Sequence, residues 1–563
     1  MADHWFSSPS GSSATRYSRT NAKLCIGVGS THSIHFVTAM VISATLLGSA
    51  GCNSFIRSSE EQGTPVDVSI PETVGAATRQ QGLSPVAVES EALVTGLPGT
   101  GSDPPPSIQR QTLLEEMMKR KVNDPNAILA SPATALVIVR ATLPPGVQKG
   151  DPLDIEVRVP SRAKTTSLAG GWLMESRLRE VAILDQQVRS GHVRAAAEGP
   201  VLIDSMLRDD GDEVSEVRGR ILGGGVATMS RPLGLVLKTG NHTVTMSKLV
   251  GAAINQRFDT YLHGKRLGAA TPKTDKFIEI SVHPRYRDNL IRYLRVIEQI
   301  QLRETPDQRL ARLATLEAEL LVPTTSALTA LKLEAIGEEA IDLLNKGLQS
   351  PSPEVRFYTA EALAYLDQAS AAKQLSESSS EPAFRSRALL ALGAMSSVEA
   401  HDALTALLHV PSAETRYGAF RALQSMNPRD PLLGQSTLGG IYLHEVASNG
   451  EPMVHVSRTR RPEIVVFGAS QPLETPLIIL VDKKLIVKNE GRRRLRVTRY
   501  QPGAEDKTVT CAATVNDLVR SLVEVEATYP EIVRALHEAK QQDCLRSRLA
   551  FDAIPKSGRT YTR

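Results

Sequence analysis

The residues best able to hold a metal are 12 His and 4 Cys, and they are scattered along the chain. No HExxH helix or Cys-His cluster occurs, so neither a zinc site nor a non-haem iron site is expected. No serine stands in a nucleophile elbow. Asp209-Asp-Gly-Asp-Glu213 offers oxygens to Ca²⁺ but lacks the other ligands of a calcium loop, and reads as an acidic hairpin tip. Gly96-Leu-Pro-Gly-Thr-Gly101 has the glycine density of a phosphate loop. No Lys-Ser/Thr pair follows it, and Pro104-Pro-Pro106 bars an immediate helix N-terminus. These residues predict neither catalysis nor a cofactor.

One charged group stands out. Lys483, Lys484, Lys488, Arg492, Arg493, Arg494, Arg496 and Arg499 fall on two expected strands joined by the turn signal Asn489-Glu-Gly491. Such charge either protects an exposed sheet edge from aggregation or seats an anionic cell-wall polymer, lipid headgroups or an acidic neighbouring subunit. Cys511 and Cys544 are the two cysteines beyond the N-terminal region. They can close one disulfide or stand as free thiols, and spacing leaves both readings open.

The 563 residues, 41% of them hydrophobic, are enough for several cores. A formal charge of +4 on so long a chain gives no general drive toward nucleic acid. Aromatics at 4%, with two Trp, disfavour base-stacking platforms and sugar clefts. Arg16, Arg19 and Lys23 precede an apolar run over 34–50 that ends Gly48-Ser-Ala-Gly-Cys52, which reads as an export signal. Small residues before Cys52 are similar to the lipobox of bacterial lipoproteins, making Cys52 the expected lipid attachment site. An ordinary signal cut nearby is the other reading. Residues 53–85 are rich in Ser, Thr, Pro, Gly and Gln and read as a tether.

Folded structure is expected from residue 86. Val86-Ala-Val88 and Ala92-Leu-Val-Thr95 read as short strands, and 108–121 as a helix. Ala135-Leu-Val-Ile-Val-Arg-Ala-Thr142 and the alternating Leu153-Asp-Ile-Glu-Val-Arg-Val159 read as two further strands, the second wet on one side. Near the C-terminus, Val515, Leu518, Leu522 and Val525 mark one amphipathic helix and Ile532, Val533, Leu536 and Ala539 another. Thr514 is placed to cap the first, and Pro530 suits the first turn of the second.

The order of these pieces resembles the flagellar P-ring protein family of bacterial basal bodies. The resemblance rests on Leu93-Val-Thr-Gly-Leu-Pro-Gly-Thr-Gly101, Val137-Ile-Val-Arg-Ala-Thr-Leu-Pro-Pro-Gly146, Gly150-Asp-Pro-Leu-Asp-Ile-Glu-Val157 and Leu168-Ala-Gly-Gly-Trp-Leu173. It continues through Gly219-Arg-Ile-Leu-Gly-Gly224, Ala253-Ile-Asn-Gln-Arg-Phe258 and Ile278-Glu-Ile-Ser-Val282. Pro462-Glu-Ile-Val-Val-Phe-Gly468 and the helical pair after Thr514 resemble the family's late strand and terminal hairpin.

Residues 304–435 are helical in pattern and depart from that family. Arg356, Arg385 and Arg416 each precede an Ala-Leu pair, with Leu363, Leu392 and Leu423 seven positions on. The period of about thirty residues resembles short HEAT-like repeats, in which stacked helix pairs present a protein-binding face. A helical insert of this kind is expected to protrude from the rest.

The reading is therefore an α+β protein: export signal at 1–52, tether at 53–85, a P-ring-like α+β region at 86–303, a HEAT-like insert at 304–435 and a P-ring-like C-terminal region at 436–563. The resemblance implies a non-enzymatic periplasmic subunit of a homo-oligomeric ring in the flagellar basal body. It further implies contact with the rod, outer-membrane ring proteins, peptidoglycan and a P-ring assembly chaperone, with an unknown protein on the insert. The lipid signal and the insert also allow an envelope lipoprotein scaffold outside the flagellum.

Overall fold

Alternation in 153–157 places Leu153, Ile155 and Val157 on one face of a strand and leaves Glu156 and Arg158 exposed on the other. That strand belongs to a closed sheet in the computed structural model, which describes residues 71–184, 187–207, 216–262, 265–481, 484–501, 503 and 505–555. Cys52, Lys483 and the acidic stretch 209–213 lie outside the described residues.

The closed sheet runs Pro152–Arg158, Ala135–Leu143, Val86–Thr95, Trp172–Leu184, Gln187–Pro200, Arg218–Ala227 and back to Pro152–Arg158, so six strands make a barrel. Closure removes the edge around the barrel itself, although Gln187–Pro200 meets Arg218–Ala227 only through Ala195–Ala197. Val86–Thr95 is one strand where two short ones were expected. Its polar middle stays in register with the neighbouring strand, Glu89 facing Arg140 at 3.3 Å, while a bulge absorbs the mismatch on the other side. Helices α2 (Ile108–Lys119) and α3 (Pro125–Ala130) pack outside it through Leu113, Met117 and Leu129.

The chain is already folded before the expected end of the tether. Helix α1 (Val74–Ala77) and strand Thr78–Gln81 join Leu233–Leu237, Phe277–Ile280 and Ala270–Pro272 in a four-stranded antiparallel sheet. Val74 and Ala77 are buried beneath α4 (Val244–Arg257) and α5 (Leu290–Glu298). Composition alone suggested solvent for this segment, but Gln80 finds Glu298 at 2.7 Å and Val74 donates to Ile300 across the fold.

Eight helices follow: α6 (Pro306–Leu320), α7 (Pro323–Ile336), α8 (Ile341–Gly347), α9 (Pro353–Tyr365), α10 (Ala371–Ser378), α11 (Arg385–Ala394), α12 (Val398–Leu407) and α13 (Ala413–Met426). Buried alanines at 360, 362, 388, 391, 419 and 422 let α9, α11 and α13 approach closely, and Leu363, Leu392 and Leu423 fill the seam.

Contrary to the expectation that they protrude, these helices are wedged into the body. Their core is continuous with Val74, Leu233, Phe258 and Tyr293 at one end and with Val446, Val465 and Phe467 at the other. The latter belong to a five-stranded mixed sheet ordered Gln435–Leu438, Ile441–Val446, Glu463–Phe467, Met453–Val456 and Arg548–Phe551. Its central strand Glu463–Phe467 is buried along its whole length because both faces are covered. Val465 and Phe467 face the helices, whereas Ile464 and Val466 face a second core shared with the barrel.

That second core also takes in the four-stranded sheet Ile478–Val481, Leu485–Asn489, Arg494–Arg499 and Lys507–Ala512, with α14 (Val515–Glu524) and α15 (Tyr529–Gln541). The Thr514 hydroxyl accepts from the Asp517 amide at 3.2 Å, and Pro530 sits in the first turn of α15, as both residue types favour. Barrel and C-terminal region thus bury one common interior.

Candidate functional surfaces and the joints that hold them

Helix α5 is amphipathic, yet Arg292 lies on its buried side among Tyr293, Val296 and Ile297. Arg292 is 6% exposed, and its partners Glu334 and Glu361, on α7 and α9, are 0% and 1% exposed. Arg292 meets Glu334 through two nitrogens and Glu361 at 2.5 Å, while Arg387 on α11 closes on the far side of Glu361. The four charges cancel. Tyr286 donates to Glu334 at 2.6 Å and stacks on Tyr365 at 4.7 Å, with Arg292 over the same Tyr365 ring. Burial alone would push Glu361 up, but Arg292 and Arg387 outweigh it and hold its carboxyl below the usual range. Arg257 adds two hydrogen bonds to the Glu334 carbonyl. This network locks the helices to the region before them.

The repeated arginines have a structural use. Arg356 donates to the carbonyls of Ser350 and Pro351, just beyond α8, and Arg385 to those of Ser379 and Ser380, just beyond α10. Each satisfies carbonyls at the end of the preceding helix. Arg416, fully buried, reaches the Glu451 carbonyl at 2.6 Å, so the last rung ties the helices to the returning sheet. Beside it, Tyr417 bonds Glu463 at 3.2 Å and stacks on His455 with ring centroids 3.5 Å apart. Burial lowers the His455 imidazole to about 3, and its Nε2 accepts from the Ala553 amide.

The basic cluster divides in two. Lys484, Lys488, Arg492, Arg493 and Arg494 are exposed, whereas Arg496 and Arg499 are half-buried and engaged. Arg496 pairs with Glu490 across the turn; Arg499 pairs with Glu531 at 3.2 Å and donates to the Glu526 carbonyl. On the outer face of the same sheet, Ile478 and Leu480 are 66% and 52% exposed, beside Lys488 in register.

Cys511 and Cys544 do not form the disulfide that the sequence left open. Both are free thiols. Cys511 sits on Lys507–Ala512 opposite Leu495, and the Cys544 Sγ is turned to the Pro476 carbonyl at 3.4 Å.

Sequence reasoning missed the Arg292 network. The signal was weak: Glu361 is the one charge in the run 357–366, but Glu334 follows Lys332 by two positions as on an ordinary exposed helix face. Among the described residues no helix is long and apolar enough to cross a membrane, and no group of three or more His, Cys, Asp or Glu is placed to hold a metal.

The architecture is that of an α+β body in which a six-stranded barrel and mixed sheets share cores with the helices and are tied by charge joints. Residues 77–312 match the flagellar P-ring protein family, covering the whole barrel, the first four-stranded sheet and the entry into the helices. The chain is 30% identical over 219 residues to the flagellar P-ring protein of Thermotoga maritima, covering 37% of this chain and 60% of that protein. It is 28% identical over 242 residues to that of Escherichia fergusonii, covering 42% and 63%. With Bradyrhizobium sp. the figures are 29% over 222 residues, 37% and 54%. The chain thus spans less than two thirds of the length of these relatives.

Proposed function

We propose that this chain is a structural subunit of the flagellar basal-body P ring, a periplasmic ring that surrounds the rod as a bushing and engages peptidoglycan. The observation that carries the reading is the match over 77–312, which falls on contiguous folded elements rather than on an isolated motif. The late strand Glu463–Phe467 and the α14–α15 pair, resembling the family's C-terminal pieces, pack against the matched barrel, which supports a single ring-forming body. A closed ring needs a heterologous interface repeated between identical copies. Rod, outer-membrane ring proteins and an assembly chaperone are the accompanying partners, and Cys52 the proposed site of a lipid anchor. The work is mechanical and needs no catalytic group.

The helices over 304–435 are proposed as a HEAT-like stack that receives another protein. Of these helices, all but the first half of α6 lies beyond the family match, which also favours a second reading as an envelope scaffold outside the flagellum. Detergent-purified basal bodies discriminate: recovery in the rod-surrounding ring supports the first reading, and recovery only as a monomeric membrane-associated protein overturns it.

A further inference from the structure

A cleft of about 770 Å³ lies between α11 and α13 on one side and the turn at 283–289 on the other, with Arg460 and Ile554 at its margin. Its lining carries five arginines and one carboxylate, Asp288. Three of those arginines are in use. Arg285 pairs with Asp367 at 2.8 Å, Arg461 with Glu463, and Arg287 donates to Ser425. Asp288 in turn accepts from the Ser425 hydroxyl.

Arg421 and Arg460 remain. Neither side chain forms an ion pair or hydrogen bond with any described residue. Partial desolvation, and then the nearby Arg421, hold the Arg460 guanidinium below its ordinary value. Asp288 and Asp154 act on Arg460 only at a distance, without a direct ion pair, so two like charges face one cleft with their hydrogen-bonding capacity open to an anion. Leu389, Leu390, Ala394 and Met426 supply an apolar wall beside them, with Leu390 38% exposed.

We propose that this cleft binds a short acidic peptide segment of a partner protein, its carboxylates between Arg421 and Arg460 and its apolar side chains on the α11 wall. A free inorganic anion leaves the apolar wall unused, whereas a peptide of mixed acidic and apolar residues satisfies both. Residues 556–563, which follow Pro555 in the sequence, contain Lys556, Arg559 and Arg563 and no acid, so they do not supply the complementary charge. The inference deepens the reading that the helical segment receives another protein, and it stands or falls independently of ring assembly.

The test is fluorescence anisotropy on the full chain with a labelled eight-residue peptide of alternating Glu and Leu, and with its Gln-for-Glu twin. Saturable binding of the acidic peptide is expected, at least about tenfold tighter than the twin. Arg421→Gln with Arg460→Gln should weaken it by about tenfold, Leu390→Asp should also weaken it, and Arg429→Gln, outside the cleft, should not. Unchanged thermal melting identifies variants that remain folded. Equal binding of both peptides, or an unchanged affinity in the folded double variant, overturns the proposal. Displacement by inorganic phosphate at concentrations equal to the peptide overturns its peptide character.

Discussion

The Arg460 amide donates to the Asp154 carboxylate at 2.7 Å across 306 positions of chain. The other carboxylate oxygen takes the Gly223 amide at 3.0 Å, so one side chain on a barrel strand binds two backbones. Gly223 has φ +59, and a Cβ there would stand 2.8 Å from the Arg460 carbonyl. Arg460 itself has φ +70. Arg220 adds a bond to the Arg458 carbonyl nearby. Barrel and C-terminal region therefore meet backbone to backbone at a place that only glycine fits without strain.

Asp154→Ala should remove both amide bonds at once. The expected loss is about 1–3 kcal/mol in urea unfolding, because two backbone donors lose a charged acceptor. Gly223→Ala should destabilise as well, by clash and by its positive φ. A loss within error for both would show that this joint contributes nothing to holding the halves together.

The Arg292 network predicts a characteristic non-additivity. Arg292→Met alone leaves Glu334 buried without its cation, and Glu334→Gln alone leaves excess positive charge; either should cost about 3–5 kcal/mol. The double variant keeps the Glu361 and Arg387 pair and restores neutrality, so it should be less destabilised than the sum of the singles. Denaturant midpoints of the three variants check this, and simple additivity would refute the coupling.

What the sequence displayed of this fold was what depends on near neighbours. Thr514, Pro530 and the apolar stripes of α14 and α15 announced that helical pair, and the spacing of Arg356, Arg385 and Arg416 announced stacked helices, because caps and seams are set within a few turns. The wedged position of those helices was hidden. Glu334 and Glu361 look like ordinary surface charge until Arg292, 42 positions before the first, is brought between them. Likewise the Ser-, Thr- and Gln-rich residues before 86 look solvated until Gln80 finds Glu298, 218 positions away. The basic cluster was visible as composition, but which cations were already paired depended on Glu531, on a different element.

Acid should weaken the seam between α13 and the five-stranded sheet. His455 is held at about 3 by burial, so below about pH 6.5 the unfolded chain binds a proton that the folded chain refuses. Stability is then full above 6.5 and falls as pH drops toward 3, by about 1.4 kcal/mol per pH unit from this group. Burial pushes Glu463 up, but the His444 ring 3.5 Å away and Arg461 outweigh it and hold the carboxyl at about 2. Its contribution is present above pH 4.5 and lost as pH falls through 2, adding to the same trend. His455→Gln, which can still accept from Ala553, should flatten the slope of urea stability between pH 6.5 and 4.5; an unchanged slope would exclude His455 as its source.

The free thiols predict insensitivity to reductant. Dithiothreitol should leave the melting temperature unchanged, and the Cys511→Ser, Cys544→Ser variant should gain no dependence on it. Burial raises both thiols above their ordinary values, so alkylation at neutral pH should be slow in the folded chain and fast in urea. A reductant-dependent fall in melting temperature would show that the two cysteines pair after all.

The basic hairpin allows retention and stability to be separated. Arg492, Arg493 and Arg494 make no side-chain ion pair or hydrogen bond among the described residues, so replacing all three with Ser should change stability by no more than about 0.5 kcal/mol. Arg499→Ala should instead destabilise, because it strips Glu531 and the Glu526 carbonyl of a donor. If the exposed triad seats an anionic polymer, headgroup or acidic subunit, the triple variant should leave the envelope fraction at lower NaCl than the parent, since exposed attraction is screened within about 8 Å at physiological salt. Extraction across a salt series reads this directly. Release at the parent's salt concentration would mean that the triad serves only to keep Ile478, Leu480 and the neighbouring strands from pairing with other chains, the role that exposed charge has on many sheets.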